Sequence, residues 1–272
     1  MSRLRWEANQ AQLLRRLEVY AATNGIVRPG QPPDAVRLGQ SMYLAHSTAS
    51  ANFSGMCAAG RLLSAIQLAV VRREALRPDA VKAVLGTADF VFFYVAPFQY
   101  PKTGWCLLFA RSLERHHLDD GVATPFDSGA LVDVLTRPDP VEPPCEFLAR
   151  HELPVPDHRE YLGICLGTLF DSPMDYLQSS DPRWPGPIDL TGGDRRRWTH
   201  EVRIPRQVFI RTGHLQAVFA PISRVAADPE IGRLFEWCKR ERVDRVPFSA
   251  SRGDDFDTLR RVCVDYIRGK LQ

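Results

Sequence analysis

The sequence predicts an α+β fold in which a compact β core lies between helical segments. Strand-like runs rich in aromatic and β-branched residues occupy the middle of the chain, and amphipathic helical patterns lie near its two ends. Strands and helices do not alternate strictly, as they would in a doubly wound α/β protein. The 272 residues, 44% of them hydrophobic, are enough to bury a substantial core. We expect one domain over residues 1–272.

The N-terminal part is predicted to be helical before the first strand begins. Residues 4–21 place most of their apolar side chains on one side of a helix, within a helical lead over residues 1–35. A short strand is expected at 42–46. Ser50 to Asn52 are then expected to cap a two-turn helix that ends at Gly60.

The middle of the chain carries the clearest strand signals. Residues 90–95 are aromatic and β-branched throughout, which is typical of a strand buried on both faces, and residues 105–110 form a second apolar run. Residues 137–157 contain six prolines in a polar setting. We interpret this proline-rich segment as a surface excursion.

The last third of the chain predicts more strands and then helices. A loop rich in proline and glycine leads into strand-like segments at 201–205, 207–210 and 215–220. The C-terminal helices span 228–270, and the first of them begins at Asp228-Pro229. These elements complete the β core and cover it with helices.

The overall charge and hydropathy exclude some classes of partner. The formal net charge is only +3, from 35 basic and 32 acidic residues, so a nucleic acid would have to be held by a local basic patch. No apolar run reaches the ~20 residues that a membrane span needs. The N-terminus also lacks the apolar stretch of a secretory signal. We therefore expect a cytoplasmic protein without a membrane partner.

Several familiar cofactor and metal sites have no counterpart in the sequence. The six cysteines are scattered, several within apolar runs, so buried thiols are favoured over a zinc or disulfide framework. His116 and His117 are adjacent and cannot face one ion from a helix, and we expect no metal. The glycine patterns of Rossmann and P-loop proteins and the nucleophile elbow of hydrolases are also missing.

Three short motifs occur in a characteristic order along the chain. His46-Ser47-Thr48 follows a strand, Phe93-Tyr94-Val95-Ala96-Pro97 lies in the centre, and Glu201-Val202-Arg203-Ile204-Pro205 follows the proline- and glycine-rich loop. This order resembles the ADP-ribosyltransferase superfamily, most closely the DarT-type toxins that modify nucleic acids. In those proteins a His-x-Thr motif opens the core, a Phe-Tyr-Phe-x-Pro strand follows, and a Glu-Val-x-x-Pro strand supplies the catalytic glutamate. The resemblance spans about residues 43–221 and leaves residues 111–180 as a long insertion.

The resemblance implies a fold, a reaction and a set of partners. The fold would be an ADP-ribosyltransferase-like split β core with surrounding helices. The reaction would transfer ADP-ribose from NAD⁺, as co-substrate and without a metal, to a nucleobase in DNA or RNA. The protein would act as a bacterial toxin or anti-phage defence effector, with an antitoxin protein as a further partner.

The chemistry of NAD⁺ explains why a glutamate would be needed. Nicotinamide is already a cationic leaving group, so the reaction requires stabilisation of positive charge on the ribose rather than a strong acid. Glu201 is the candidate catalytic residue, and neighbouring basic residues such as His200 and Arg203 are expected to keep its carboxylate ionised. An exposed strand glutamate in a salt bridge is the alternative interpretation.

The co-substrate would be bound by residues near the first two motifs. The resemblance places His46, Ser47 and Thr48 against the NAD⁺ ribose and carboxamide, and Tyr94 or Tyr100 would stack on the cationic nicotinamide ring. A histidine at a strand end is often only structural. Tyr94 lies in an aromatic strand where core packing is the ordinary role.

The acceptor would be presented by the loop that precedes Glu201. Arg195, Arg196, Arg197 and Trp198 combine phosphate attraction with an aromatic stacking surface, a mixture that single-stranded nucleic acids favour. A solvated charged loop is the alternative interpretation.

Other functions remain compatible with the same residues. Within the superfamily, the alternatives are an NAD⁺ glycohydrolase and a protein ADP-ribosyltransferase. An RNA 2′-phosphotransferase would need basic phosphate-binding residues spread through the early strands, and the sequence does not show them. From a different class, the chain would be a non-catalytic module that binds nucleic acid or protein.

Overall fold

A computed structural model describes residues 3–26, 42–75, 79–95, 104–135, 142–170, 173–178, 196, 199–210, 213–250 and 255–271. Its strands are β1 (Tyr43–His46), β2 (Arg61–Leu63), β3 (Phe90–Val95), β4 (Cys106–Ala110), β5 (Val122–Thr124), β6 (Leu153–Pro154), β7 (Glu201–Pro205), β8 (Gln207–Phe209), β9 (Leu215–Pro221) and β10 (Asp244–Phe248). Its helices are α1 (Arg3–Thr23), α2 (Phe53–Ala59), α3 (Ala65–Arg72), α4 (Ala80–Leu85), α5 (Ala130–Leu135), α6 (Pro144–His151), α7 (Val155–Leu169), α8 (Pro173–Gln178), α9 (Ile222–Ala227), α10 (Pro229–Glu241) and α11 (Asp255–Leu271).

The main sheet has eight strands in the order β10-β9-β4-β1-β3-β7-β5-β6, and β2 and β8 form a separate two-stranded sheet. Every neighbouring pair is antiparallel except β9 and β10, which are parallel. Antiparallel pairing needs no crossover helix between consecutive strands, so helices need not alternate with strands. The predicted α+β class is confirmed.

One row of residues crosses four strands at the centre of the sheet. Ala45 pairs with Tyr94, Tyr94 pairs with Glu201, and Glu201 pairs with Thr124. Residues directly opposite each other project to the same face of a sheet. The row therefore runs from the end of β1 across β3 to the start of β7 and then to the end of β5.

The elements with strong local signals form where the sequence predicts them. β1, β3, β4, β7, β8 and β9 agree with the expected strands within one residue at most boundaries. α1 and α11 match the two amphipathic patterns, and α10 begins after Asp228, whose carboxylate accepts the Glu230 N–H at 2.9 Å. Apolar periodicity and a capping side chain are therefore sufficient to locate these elements.

The helix after β1 differs in its cap from the prediction. Ser50 to Asn52 form a 3₁₀ turn, and Asn52 does not cap α2, since its Oδ1 accepts from Arg72 Nη2 at 2.8 Å. Glu230 Oε2 instead accepts the Ser54 N–H in the first turn of α2 at 3.1 Å. The predicted end is confirmed, since Gly60 follows with a φ of 64° in the left-handed region that glycine favours.

The interpretation of residues 137–157 as a surface excursion is wrong for its second half. This part contains α6, β6 and the start of α7, with Leu148, Leu153 and Val155 buried. Its prolines stand at the N-cap or in the first turn of a helix, where no intrahelical bond needs the missing N–H. Residues 136–141 lie outside the described residues.

The predicted insertion at 111–180 is partly built into the main sheet. β5 pairs with β7, β6 pairs with β5, and α7 buries nine of its residues against them and other elements. The described part of this segment therefore supports the strand that carries Glu201. Within the described residues, no helix combines the length and apolar character needed to cross a membrane.

Candidate active site

A cavity of about 610 Å³ opens beside the ends of β1, β3 and β7 and beneath α2, α3 and α4. His46, Ser47, Thr48 and Glu201 all line it, although they come from distant parts of the sequence. Its volume lies within the range of small-molecule sites in proteins. The structure therefore brings together the first and third motifs at one site.

Glu201 lies at the start of β7 between β3 and β5 and is only 1% exposed. Its Oε1 is 3.4 Å from Arg203 Nε. The other side of the Arg203 guanidinium contacts Glu152, with 2.7 Å from Nη2 to Oε1. Glu201 is therefore a buried carboxylate at a cavity wall, and the alternative of an exposed strand glutamate does not fit.

His46 is oriented by a backbone contact at the end of β1. Its Nδ1 lies 2.8 Å from Phe92 O, and its ring packs 5.4 Å from the Phe93 ring. A carbonyl oxygen only accepts hydrogen bonds, so Nδ1 carries the proton and donates. In the neutral ring the acceptor is then Nε2, which suits a ligand hydroxyl.

The segment after His46 is fixed by contacts with Trp105. Ser47 Oγ donates to Trp105 O at 3.2 Å, and Trp105 Nε1 donates to Thr48 O at 2.9 Å. Thr48 Oγ1 accepts the Asn52 amide at 2.8 Å. These bonds hold one edge of the cavity in place.

Two arginines in the cavity wall were not identified from the sequence. Arg61 Nη1 donates to Gln207 Oε1 and Arg72 Nη2 donates to Asn52 Oδ1, each at 2.8 Å. These partners are neutral amides, so they do not neutralise the guanidinium charges. The arginines lie in β2 and α3, which themselves had no clear local signal in the sequence.

Arg196 is the part of the predicted acceptor loop that the structure describes. It lines the cavity, and its Nη2 lies 2.5 Å from Asp133 Oδ2. Its backbone oxygen accepts the Asp127 N–H at 2.9 Å. Arg195, Arg197 and Trp198 lie outside the described residues.

Only one of the two tyrosines proposed to stack on nicotinamide belongs to the described residues. Tyr94 is 4% exposed and packs in the hydrophobic core, while Phe90, Val91 and Phe92 of the same strand line the cavity. The structure does not bring Tyr94 to the cavity wall. Tyr100 lies outside the described residues.

A buried polar chain lies behind Glu201. Arg111 Nη2 donates to His158 Nδ1 at 3.0 Å, so His158 donates from Nε2 to His200 Nδ1 at 2.8 Å. Arg111 and Arg159 both bind Glu114. The order of these contacts was not predictable from the sequence, because they join three separate segments.

This burial changes the expected role of His200. Burial and the nearby Arg111 lower the pKa of His200 to about 3, and burial, His200, Arg111 and Arg159 together lower the pKa of His158 well below its usual value. The expectation that His200 helps to keep Glu201 ionised is therefore wrong. Arg203 supplies the positive charge next to the Glu201 carboxylate.

The side chains of the cavity wall carry charges of both signs. Among the residues that the structure describes, no group of three or more His, Cys, Asp or Glu side chains is arranged to hold a metal ion. The cavity wall combines apolar side chains with the cations Arg61, Arg72, Lys82 and Arg196 and with the carboxylates Asp79, Asp127 and Glu201.

Comparisons with known proteins find similar solved structures. No protein-family model matches the sequence, and no curated protein matches it. The chain is similar to the DarT protein of Thermus sp. 2.9 in complex with NAD⁺, with 13% identity and a TM-score of 0.43, over 79% of this chain and 96% of that chain. It is also similar to the same DarT in complex with ADP-ribosylated ssDNA, with 12% identity and a TM-score of 0.43, over 80% of this chain and 96% of that chain.

Proposed function

We propose that this protein transfers ADP-ribose from NAD⁺ to a nucleobase of DNA or RNA, with Glu201 as its catalytic residue. One observation carries the proposal. Glu201 is a buried carboxylate that shares a single cavity with His46, Ser47 and Thr48, as the order of the motifs predicts. A carboxylate placed beside a ribose is what the chemistry of ADP-ribose transfer requires.

The residues of the cavity fit the parts of NAD⁺. The Arg61 and Arg72 guanidinium groups keep their charge for a diphosphate, which guanidinium binds well. Met56, Leu62 and Leu68 supply apolar surface for a ring. His46 Nε2 accepts a hydrogen bond from a ribose hydroxyl, while Phe92 O fixes the orientation of the ring.

NAD⁺ supplies a ribose whose nicotinamide leaves without the help of a strong acid. Glu201 accepts a hydrogen bond from a ribose hydroxyl and stabilises the positive charge that develops as nicotinamide leaves. Arg203 places a guanidinium charge 3.4 Å from the Glu201 carboxylate, and both side chains are buried. The buried setting strengthens the electrostatic effect of Glu201.

We assign binding of the acceptor to the segment before β7. Arg196 lies in the cavity wall, and the adjacent Arg195, Arg197 and Trp198 provide further positive charge and an aromatic ring in the sequence. Arginines attract a phosphate backbone, and tryptophan stacks on a base. This composition favours a nucleic-acid acceptor over a protein.

Labelled NAD⁺ tests the reaction and the acceptor class together. The purified protein is incubated with radiolabelled NAD⁺ and separate pools of single-stranded DNA, RNA and cell protein. Glu201→Gln is the test variant, and Glu236→Gln, which changes an exposed glutamate on α10, is the matched control. We expect label on DNA or RNA with the wild type and the control but not with Glu201→Gln.

The other outcomes of this experiment identify the alternatives. Label on the protein pool would indicate a protein ADP-ribosyltransferase, and free ADP-ribose without a labelled pool would indicate an NAD⁺ glycohydrolase. Untouched NAD⁺ would favour a non-catalytic binding module.

We also propose that the protein acts in the bacterial cytoplasm as a toxin or anti-phage effector that an antitoxin neutralises. The resemblance of the motifs to DarT-type toxins supports this role. Expression in a bacterial host is then toxic, and Glu201→Ala relieves the toxicity at equal protein levels. Equal toxicity of the two proteins would contradict the assignment of Glu201.

A further inference from the structure

A buried aspartate lies on the opposite side of Glu201 from the His46 segment. Asp127 belongs to the turn 126–129, which follows β5, and β5 pairs with β7 so that Thr124 is opposite Glu201. Asp127 is only 2% exposed, yet it lines the same cavity as Glu201. The cavity therefore contains two buried carboxylates, one from β7 and one from the turn that follows β5.

The turn 126–129 holds the Asp127 carboxylate in a fixed position. Thr124 Oγ1 donates to Phe126 O at 2.9 Å, and the Gly129 N–H donates to Asp127 Oδ1 at 2.8 Å. A Cβ at position 129 would lie 3.0 Å from Asp127 Oδ1, so glycine permits this close approach. The carboxylate is thus oriented before any ligand binds.

The same turn is joined to the segment assigned to the acceptor. The Asp127 N–H donates to Arg196 O at 2.9 Å, and the Arg196 side chain is paired with Asp133 of α5. Two contacts therefore attach Arg196 to the turn and to the helix that follows it.

The order of the strands places the residues assigned to NAD⁺ and those near the acceptor segment on opposite sides of Glu201. In the sheet, β7 lies between β3 and β5, and β1 is on the far side of β3. The His46 segment that is assigned to NAD⁺ therefore lies on one side of Glu201, whereas Asp127 and Arg196 lie on the other. A group that reacts with the ribose beside Glu201 would approach from the Asp127 side.

We propose that Asp127 is the general base that removes the proton from the acceptor, an inference that rests on the proposed transferase function. The lone pair of the acceptor nitrogen forms the new bond to C1′ of the ribose. The bond from C1′ to the nicotinamide nitrogen breaks, and nicotinamide leaves as a neutral molecule with the bonding electrons. The acceptor proton passes to the Asp127 carboxylate and then to water.

Substitutions of Asp127 distinguish a general base from a residue that only stabilises the turn. The contact with the Gly129 N–H needs only a side-chain oxygen, and asparagine provides one of the same size. Asp127→Asn therefore keeps the turn and removes the base. Asp127→Glu keeps a carboxylate, and Asp265→Asn removes an exposed carboxylate of α11 as a control.

Three quantities are measured for each protein: label transfer to the nucleic acid that the wild type modifies, the Kd for NAD⁺ by calorimetry, and the melting temperature. We expect Asp127→Asn to reduce the transfer rate at least about 100-fold, which is the ordinary contribution of general-base catalysis. Its Kd for NAD⁺ and its melting temperature stay close to those of the wild type. Asp127→Glu recovers part of the rate, and Asp265→Asn has no effect.

Transfer by Asp127→Asn at the wild-type rate would overturn this inference and leave the proposed function intact. An equal loss of transfer and of melting temperature in Asp127→Asn and Asp127→Glu would also overturn it, because the turn and not the base would then be responsible. A wild-type protein that transfers no label to any acceptor would overturn the proposed function and this inference together.

Discussion

The Glu201 carboxylate and the Arg203 guanidinium lie 3.4 Å apart, from Oε1 to Nε, with both side chains almost completely buried. They are two residues apart in β7, so both project from the same face of the strand. Arg203 also binds Glu152, which anchors the guanidinium from its other side. The carboxylate that we assign to catalysis therefore depends on Arg203 for its charge balance.

Replacement of Arg203 by methionine should destabilise the protein strongly. The change keeps the approximate size of the side chain but leaves the Glu201 carboxylate buried beside an uncharged group. Breaking a buried ion pair in this way costs about 3–5 kcal/mol in the free energy of unfolding. Urea unfolding at pH 7 measures the loss, with Arg224→Met, at an exposed arginine of α9, as the control.

The same change should cost less when Glu201 is already glutamine, because no buried negative charge is then left behind. A double-mutant cycle between Arg203→Met and Glu201→Gln should give a coupling energy of about 0.5–3 kcal/mol. Strictly additive effects would show that the two side chains do not stabilise each other.

His46→Ala should weaken the use of NAD⁺ without changing the chemical step. The His46 ring is held by Phe92 O and offers Nε2 to the ribose, so its loss removes about one hydrogen bond from the bound co-substrate. We expect KM for NAD⁺ to rise up to about tenfold, with kcat little changed. Steady-state kinetics measures both, and His116→Ala, at an exposed histidine, is the control. A fall in kcat at constant KM would place His46 in the chemical step instead.

Arg72→Gln should reduce the affinity for NAD⁺ most clearly at low ionic strength. Arg72 lies in the cavity wall and donates to the neutral Asn52 amide, which leaves the guanidinium charge for a diphosphate. Calorimetry at two salt concentrations should show a higher Kd and a weaker dependence on salt than in the wild type. Unchanged binding in Arg72→Gln, with Arg240→Gln as the control, would place the diphosphate elsewhere.

The protein should lose stability as the pH falls below about 6.5, the usual pKa of histidine in an unfolded chain. Burial lowers the pKa of His151 to about 4 and that of His200 to about 3, and it lowers the pKa of His158 as well. The unfolded chain therefore binds more protons in this range, and stability is retained above it and lost towards pH 4. Each such histidine adds up to ~1.4 kcal/mol per pH unit to the slope.

Thermal unfolding between pH 8 and pH 4.5 tests this dependence. His151→Phe preserves an aromatic ring against Phe147, which stacks on His151 at 4.3 Å, and should flatten the curve by removing one titrating group. A melting temperature that is constant over this range would contradict the buried neutral histidines.

The fold was predictable where the signal is local. The apolar run of 90–95 and the Asp228 cap each determine an element without help from the rest of the chain. β5 and β6 have only three and two residues, so their pairing with β7 and with each other decides their structure. Pro144 and Pro156 favoured a loop in the sequence because proline is common both in turns and at the first positions of helices. Composition alone does not distinguish the two.

Residues of the site were predictable only where they belong to a sequence motif. His46 and Glu201 belong to short motifs whose order is visible in the sequence, and the structure places both in one cavity. Arg61 and Arg72 reach the same cavity through the arrangement of the sheet and helices, which no local pattern records. Tyr94 was assigned to the ligand from its strand motif, whereas the structure places it in the core.

The release of nicotinamide from NAD⁺ by the wild type and by Glu201→Gln tests the central claim most directly. Nicotinamide is quantified by chromatography in the presence of the nucleic acid that the wild type modifies. NAD⁺ binding is measured by calorimetry on the same protein samples. We predict that Glu201→Gln binds NAD⁺ with nearly the same Kd but releases nicotinamide at least about 100-fold more slowly, because charge stabilisation acts in the transition state. Equal release by the two proteins would contradict the assignment of Glu201 as the catalytic residue.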